Sequence, residues 1–305
     1  MSKLKDKNHI LISGSSNRPL AGKVAKGLGE KLGSIELEEF PNGELRVRIL
    51  EEVKGKIVFI LQSAIFPAER HILEMALIAD AVKRSGAKKI VAIITWFGYS
   101  AQDKIFREGE PLSSEVVIKM LESTSIDEFA TIDIHSPLVL KMFSKKVYNL
   151  SAATVFIDHF NGKLSRDWVA VALDRGAVER SEEFAKALSL PLVKFDKTRD
   201  RRSGEVTFHK LTGEVRGKNV ISFDDFVSTG GTRLRGSKFL KDEGARRYYD
   251  CVTHLIVPAT TKKLEKSSID KMFITDSILL DKKWKYRGLK ILSVAPIISE
   301  FIGKY

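Results

Sequence analysis

The strongest constraint on the fold is that the chain carries one plan twice. GKIVFILQS (55–63), a helical pattern, Ser-Gly-Ala (85–87) and the apolar run KKIVAIITW (88–96) form the first copy. GKNVISFDD (217–225), a second helical pattern, Glu-Gly-Ala (243–245) and YYDCVTHLIV (248–257) form the second. Identity between the copies is thin, but order and connection lengths agree. Near-continuous apolar, β-branched runs suit a parallel sheet covered on both faces, and helices between them supply the crossovers. The expectation is an α/β protein of two related domains, each a mainly parallel sheet flanked by helices. At 305 residues the chain exceeds the ~100–200 residues usual for one domain. The boundary falls near Leu150 to Ala153, giving domains 1–150 and 151–291, with 292–305 a segment that can pack back on the first.

Smaller signals fill in the order. ILISGSS (10–16) reads as a strand running into a small-residue turn, followed by a helix from Pro19 to about Leu32. Ile35–Phe40 is extended, Asn42-Gly43 is a hairpin signal, and Leu45, Val47 and Ile49 alternate along a returning strand. Glu69–Ser85 has amphipathic helix spacing with Gly86 as its stop. A polar loop (97–111), a helix from Ser113 to Ser123 and a strand ending in Asp133 and His135 follow. In the second half, WVAVALDRG (168–176) and LPLVKFDK (190–197) are extended, and the charged stretch up to Val206 is a candidate mobile loop or hairpin. ITDSILL (274–280) and KILSV (290–294) read as two more strands before a short terminal helix.

Composition narrows the class. A single cysteine, Cys251, excludes an intramolecular disulfide framework and a cysteine-based zinc site, and fits a reducing cytoplasm. MSKLKDKNHILIS shows no signal-peptide pattern, and no run approaches the ~20 apolar residues of a membrane span. The formal net charge of +12 invites a nucleic-acid partner, but Lys and Arg are scattered among acids without an aromatic-studded stripe. The expectation is no nucleic acid and no membrane. A basic balance suits polyanionic small substrates equally well.

The most informative stretch is Asn219–Thr232, NVISFDDFVSTGGT. Strand, acidic tip, Gly-rich turn and helix start, in that order, make a place for a phosphate. Paired glycines let backbone N–H groups turn inward, the helix start adds partial positive charge, and Ser228, Thr229 and Thr232 add hydroxyl donors. Asp224 and Asp225 suit ribose hydroxyls or a metal. The bland alternative is an ordinary βα turn with a capping Thr. No G-x-x-x-x-G-K-[ST], H-E-x-x-H or G-x-S-x-G is present. Polar residues do gather at strand ends, where open α/β sheets bind ligands: Asp133 and His135, Asp174 and Arg175, Lys197 and Arg199. Asp133-x-His135 would share a face if the strand continued, and suits a divalent cation or a proton acceptor; a structural His is the plain alternative.

Taken in order, these pieces resemble the ribose-phosphate diphosphokinase (phosphoribosyl pyrophosphate synthetase) family along nearly the whole chain. SGSSNRPLA, FPNGE, FGYSAQD with GEPLSSEVV, DIHS, LDRGAVER, DKTRDRRSGEV, DDFVSTGGT and KILSVAPIISEFI carry the resemblance. It implies two phosphoribosyltransferase-like domains, an ATP side and a ribose 5-phosphate side. It also implies transfer of the diphosphoryl group of MgATP to O1 of ribose 5-phosphate with release of AMP. Phe40, Asn42, Gly43 and Glu44 would bind ATP, probing the adenine from a neighbouring subunit of a homo-oligomer, and Gln102 and Asp103 would lie along the nucleotide. His135 and Asp174 would hold Mg²⁺ directly or through water. Lys197 and Arg199 would close over the transferring group as catalytic residues. Asp224 and Asp225 would take the ribose, and Ser228, Thr229, Gly230, Gly231 and Thr232 the 5-phosphate. Two departures stand out: Ala101 where the family usually has Arg, and Ser228 where many members have Asp. Ala101 motivates the alternative of a catalytically weakened regulatory or partner subunit. A phosphoribosyltransferase is the other alternative, although it would not need the Phe40–Glu44 or Lys197–Arg199 elements.

Overall fold

The computed structural model describes residues 8–173, 176–199 and 206–305. The chain divides into two compact units. The first comprises residues 1–151, 277–279 and 293–305, and the second residues 152–276 and 280–292.

In the first unit β1 (His9–Ser13) leads into α1 (Arg18–Gly27), followed by a hairpin of β2 (Ile35–Glu39) and β3 (Leu45–Ile49). Then come β4 (Ile57–Gln62), α2 (Ala68–Arg84), β5 (Lys89–Ile94), α3 (Ser113–Glu122), β6 (Glu128–Ile132), α4 (Pro137–Leu140) and β7 (Lys146–Leu150). The sheet order is β1-β4-β5-β6-β7, with every pair parallel. Helix α2 forms because Ile72, Met75, Ile78, Ala79 and Val82 recur at helical spacing and are buried together against Val58, Ile60, Ile90 and Ala92.

The second unit runs α5 (Ala153–Phe160), β8 (Trp168–Ala172), α6 (Val178–Ala187), β9 (Leu192–Arg199), β10 (Val206–Leu211), β11 (Asn219–Val227) and α7 (Gly231–Asp242). β12 (Arg247–Leu255), α8 (Thr261–Leu264), β13 (Lys271–Thr275) and β14 (Leu289–Leu292) complete it, while α9 (Ala295–Ile302) belongs to the first unit. Its seven-stranded sheet has the order β10-β9-β8-β11-β12-β13-β14, parallel except where β10 pairs with β9. Leu240 of α7 packs with Val220 and Val252 on one face, and Phe184 of α6 with Ile221, Phe223 and Cys251 on the other. The expected fold class is therefore the observed one.

The repeat holds at the level of single hydrogen bonds. Gly55 N donates to Gly86 O at 2.8 Å, and Gly217 N to Gly244 O at 2.9 Å. Gly86 and Gly244 both have φ +86, where a side chain is strained. Both copies then pair their strands in the same register, Ile60 opposite Ala92 and Ser222 opposite Asp250.

Four sequence readings shift. Helix α1 ends at Gly27 instead of running to about Leu32, because Gly27 and Gly29 (φ +68) break the pattern its apolar residues suggest. ITDSILL is not a strand of its own: β13 starts upstream at Lys271, and after Thr275 the chain turns with Ile278 and Leu280 buried as loop residues. Apolar content there reports burial, not extension. Helix α7 starts at Gly231, three residues before the helical pattern of the sequence begins at Leu234. The charged stretch before Val206 is flanked by an antiparallel pair, with Arg199 opposite Val206 and Lys197 opposite Phe208.

Candidate active site

Strand β11 delivers Asp224 and Asp225, and the chain then reaches α7 through Ser228, Thr229 and Gly230. Gly230 has φ +76, and a Cβ there would sit 2.8 Å from Thr260 Cγ2. Only glycine makes this turn without strain. Thr260 fixes it from outside by donating its hydroxyl to Ser228 O at 2.6 Å. No side chain caps α7 and its first turn holds no acid, so its leading N–H groups are presented to an anion. By contrast, Asn17 accepts from Leu20 N and caps α1. The Arg235 guanidinium lies beside Gly231, adding positive charge at the same turn.

The two carboxylates are not equivalent. Asp225 is buried, accepts from Phe226 N at 2.8 Å and pairs with Arg180 Nη1 at 2.6 Å. Asp224 keeps 16% of its side-chain surface. Its Oδ1 accepts from Arg180 Nη1 at 2.7 Å and from Asp225 N at 3.0 Å, and its Oδ2 accepts from Arg233 Nη2 at 3.0 Å. One guanidinium therefore approaches from α6 and the other from α7. Arg233 is buried and also donates to Asp250 Oδ1 at 2.5 Å, where the Ser222 hydroxyl donates at 2.7 Å. Burial pushes the Asp250 carboxyl up from its ordinary range, and the Arg233 charge opposes that rise. Arg180, Arg233 and Asp250 did not emerge from the sequence reading as site residues. Their signal was available in the repeat, because Ser222 and Asp250 are polar where the first copy has Ile60 and Ala92.

On the first unit, Phe40 to Glu44 form the tip of the β2–β3 hairpin. Phe40 N donates to Glu44 O at 2.8 Å, Gly43 N to Phe40 O at 2.8 Å, and Glu44 N to Asn42 Oδ1 at 3.2 Å. The Phe40 ring is 45% exposed, with the Arg46 guanidinium 5.9 Å from its centre. An exposed aromatic on a rigid turn is a platform for a flat ring. Gln102 is tied to the start of α3: Ser113 donates its hydroxyl to Gln102 Oε1 at 2.7 Å and Ser114 donates to Gln102 O at 2.8 Å. Asp103 follows, half-buried, and Ala101 is exposed. Tyr99, three residues before Gln102, has φ +69, a conformation non-glycine residues adopt at a cost and often at functional loops.

Strand β6 ends at Ile132, and Asp133 turns away with φ +38. The same-face argument for Asp133 and His135 therefore lapses, and His135 sits half-buried in the loop before α4. Asp174 lies outside the described residues, as do the side chains of Lys197 and Arg199, whose backbone belongs to β9. Among the described residues no three His, Cys, Asp or Glu side chains form a metal-holding group. Without such a group, an ion beside His135 would have to take most of its ligands from water and nucleotide phosphates, the manner in which Mg²⁺ is commonly held.

Parallel sheet, acidic strand tip and glycine-entered phosphate turn define a phosphoribosyltransferase-type domain, and the matching family profiles agree. Residues 147–292 match the phosphoribosyl transferase domain, and residues 9–124 the N-terminal domain of ribose phosphate pyrophosphokinase. Ribose-phosphate pyrophosphokinases from Bacillus cereus and Corynebacterium ammoniagenes are 34% and 33% identical, over 97% of this chain and 93% of theirs. The Campylobacter jejuni enzyme of the same name is 33% identical over 98% of this chain and 96% of its own. The crystal structure of phosphoribosylpyrophosphate synthetase from Mycobacterium smegmatis superposes with a TM-score of 0.89 at 29% identity, covering 97% and 98% of the two chains. The chain belongs to the ribose-phosphate pyrophosphokinase family.

Proposed function

We propose that the chain makes 5-phosphoribosyl 1-diphosphate. O1 of ribose 5-phosphate attacks the β-phosphorus of ATP, the bond from that phosphorus to the α–β bridging oxygen breaks, and AMP leaves with the oxygen. The proton of O1 passes to solvent. The observation that carries this reading is the turn at Ser228–Thr232, where an uncapped helix start sits directly behind a clamped carboxylate. The 5-phosphate binds the N–H groups and hydroxyls there, and Asp224 accepts from the ribose hydroxyls. Shared descent with pyrophosphokinases across nearly the full length supports synthesis over a regulatory subunit or a phosphoribosyltransferase.

His135 and Asp174 would hold Mg²⁺ directly or through water, and the ion would neutralise charge on the phosphate oxygens. Lys197 and Arg199 stabilise the charge that builds on the transferring group and exclude water that would otherwise hydrolyse ATP. Phosphoryl transfer depends on positioning and charge neutralisation more than on covalent chemistry, so a site built of donors and clamps suffices. The exposed Phe40 with Asn42, Gly43 and Glu44 takes the adenine of a neighbouring subunit's ATP, with Gln102 and Asp103 along the nucleotide. A homo-oligomer follows, and an active enzyme that elutes from a sizing column strictly as a monomer refutes the sharing. A reducing cytoplasm suits the buried Cys251 thiol.

The test is AMP formation from MgATP with and without ribose 5-phosphate. Wild type is expected to make AMP only with the sugar, and Lys197→Ala to lose ~10²–10³ in rate, the scale for removing one charged donor. Absence of sugar-dependent AMP, or an unimpaired Lys197→Ala, overturns the assignment.

A further inference from the structure

The two copies of the repeat solve the same packing problem differently. In the first, the cross-strand pair beneath the helix is Ile60 and Ala92, both fully buried in an apolar core with Met75 and Ile78 of α2. In the second, the pair at the same register is Ser222 and Asp250, with Arg233 of α7 inserted above them. Asp250 is fully buried, and its Oδ2 has no hydrogen-bond partner among the described residues. The architecture plainly stands without charge at this place, since the first copy has none there. Buried ion pairs are also poor stabilisers compared with well-packed apolar groups. The charges therefore call for a reason other than holding the sheet together.

That reason lies at the other end of Arg233. Its Nη2 reaches Asp224 Oδ2 at 3.0 Å, while Nη1 is held by Asp250 at 2.5 Å. The planar guanidinium bridges the two carboxylates, so its position is set from below by a residue that does not itself approach the sugar. Tyr248, whose hydroxyl meets that of Ser222 at 2.8 Å, fixes the hydroxyl that in turn holds Asp250. Arg180 clamps the opposite oxygen of Asp224 from the other layer.

We infer that Arg233 and Asp250 are positioning residues for the sugar site: Asp250 anchors Arg233, and Arg233 holds Asp224 in the orientation that accepts the ribose hydroxyls. This rests on the reading of Asp224 as the ribose carboxylate. Releasing the clamp lets Asp224 shift, and a displacement of ~1 Å in a positioning group costs on the order of 10²-fold. The penalty falls on recognition of hydroxyls, and binding of the 5-phosphate at Ser228–Thr232 is left intact.

The test transplants the first copy's solution into the second. Ser222→Ile, Asp250→Ala and Arg233→Met are combined, so that no buried charge is orphaned, and Arg233→Lys is made alone because an ammonium keeps the charge but lacks the rigid planar fork that fixes both carboxylates at once. Binding of ribose 5-phosphate and of 2-deoxyribose 5-phosphate is measured by calorimetry, with melting temperature as the control for folding. Wild type is expected to prefer the ribose form. The combined variant should melt no lower than wild type, bind ribose 5-phosphate ~10–100-fold more weakly and lose most of that preference. Arg233→Lys should fall between the two. A variant that keeps both affinity and preference shows that Arg233 and Asp250 only fill space, and overturns the inference while the functional reading stands. Wild type that binds no ribose 5-phosphate, or does not distinguish the two sugars, instead overturns the reading of the site itself. If the combined variant does not fold, the decision rests on Arg233→Lys, and wild-type preference there is the overturning result.

Discussion

The ends of β4 and β11 occupy equivalent places in the two copies, yet one is stitched to a neighbouring loop by side chains and the other leads into a glycine turn. At the end of β4, Gln62 is fully buried and its Oε1 accepts from Ser16 N at 3.0 Å and from the Ser16 hydroxyl at 2.5 Å. Its Nε2 donates to Glu74 Oε1 at 2.7 Å, and Glu74 accepts from Ser15 N at 2.6 Å and the Ser15 hydroxyl at 2.7 Å. The loop after β1 is thus stitched onto the strand end, and a Cβ on Gly14 would collide with the Gln62 side chain at 2.6 Å. At the end of β11 the equivalent residue is Asp224, and the chain beyond it turns through Gly230 to give α7 an uncapped start. Helix α2 also starts without a side-chain cap, but it follows Pro67 in an extended conformation and carries Glu69 in its first turn, where α7 has no acid. One framework carries a stitched loop at one strand end and a glycine turn at the other, and a handful of residues past the strand makes the difference.

That contrast can be broken from either side. The larger effect is expected at the open end. Gly230→Ala forces a left-handed backbone on a residue with a Cβ, at ~1–2 kcal/mol before the contact with Thr260 is counted. It also displaces the N–H groups of the turn, so calorimetric affinity for ribose 5-phosphate should fall for both the ribose and deoxyribose forms. Unchanged affinity would mean the turn does not hold the phosphate. The smaller effect is at the closed end. Gln62→Leu takes the acceptor from Ser16 N and the Ser16 hydroxyl and one donor from Glu74, and should cost ~1–3 kcal/mol in denaturant unfolding while leaving sugar affinity as it was. A loss of sugar affinity in Gln62→Leu would show that the first copy's strand end also takes part in the sugar site.

Much of this was legible in the chain. Period and order in the apolar runs gave the parallel sheets, because a strand buried on both faces must be apolar throughout. SerThrGlyGlyThr behind AspAsp gave the turn into a helix, because that backbone needs glycine at one position. Less legible were features that depend on what lies across the sheet. The pattern in ITDSILL is apolar because the loop is buried, and nothing local separates that from a strand. The spacing of Asp133 and His135 implied a shared face, but positive φ at Asp133 removed it. Arg233 and Asp250 are 17 residues apart and meet only because α7 folds back over β11 and β12.

By itself, then, the sequence determined the class of fold, the repeat and the glycine turn into α7, since each rests on local periodicity or on backbone conformations that few residues allow. Tertiary structure alone decided that Arg180 meets both adjacent carboxylates, that Asp225 is buried while Asp224 keeps part of its surface, and that Arg233 joins Asp224 to Asp250. The physical reason is that burial and charge pairing are set by residues distant in the chain. Arg180 of α6 reaches both Asp side chains although they are adjacent on one strand, and Arg233 of α7 adds a second clamp on Asp224.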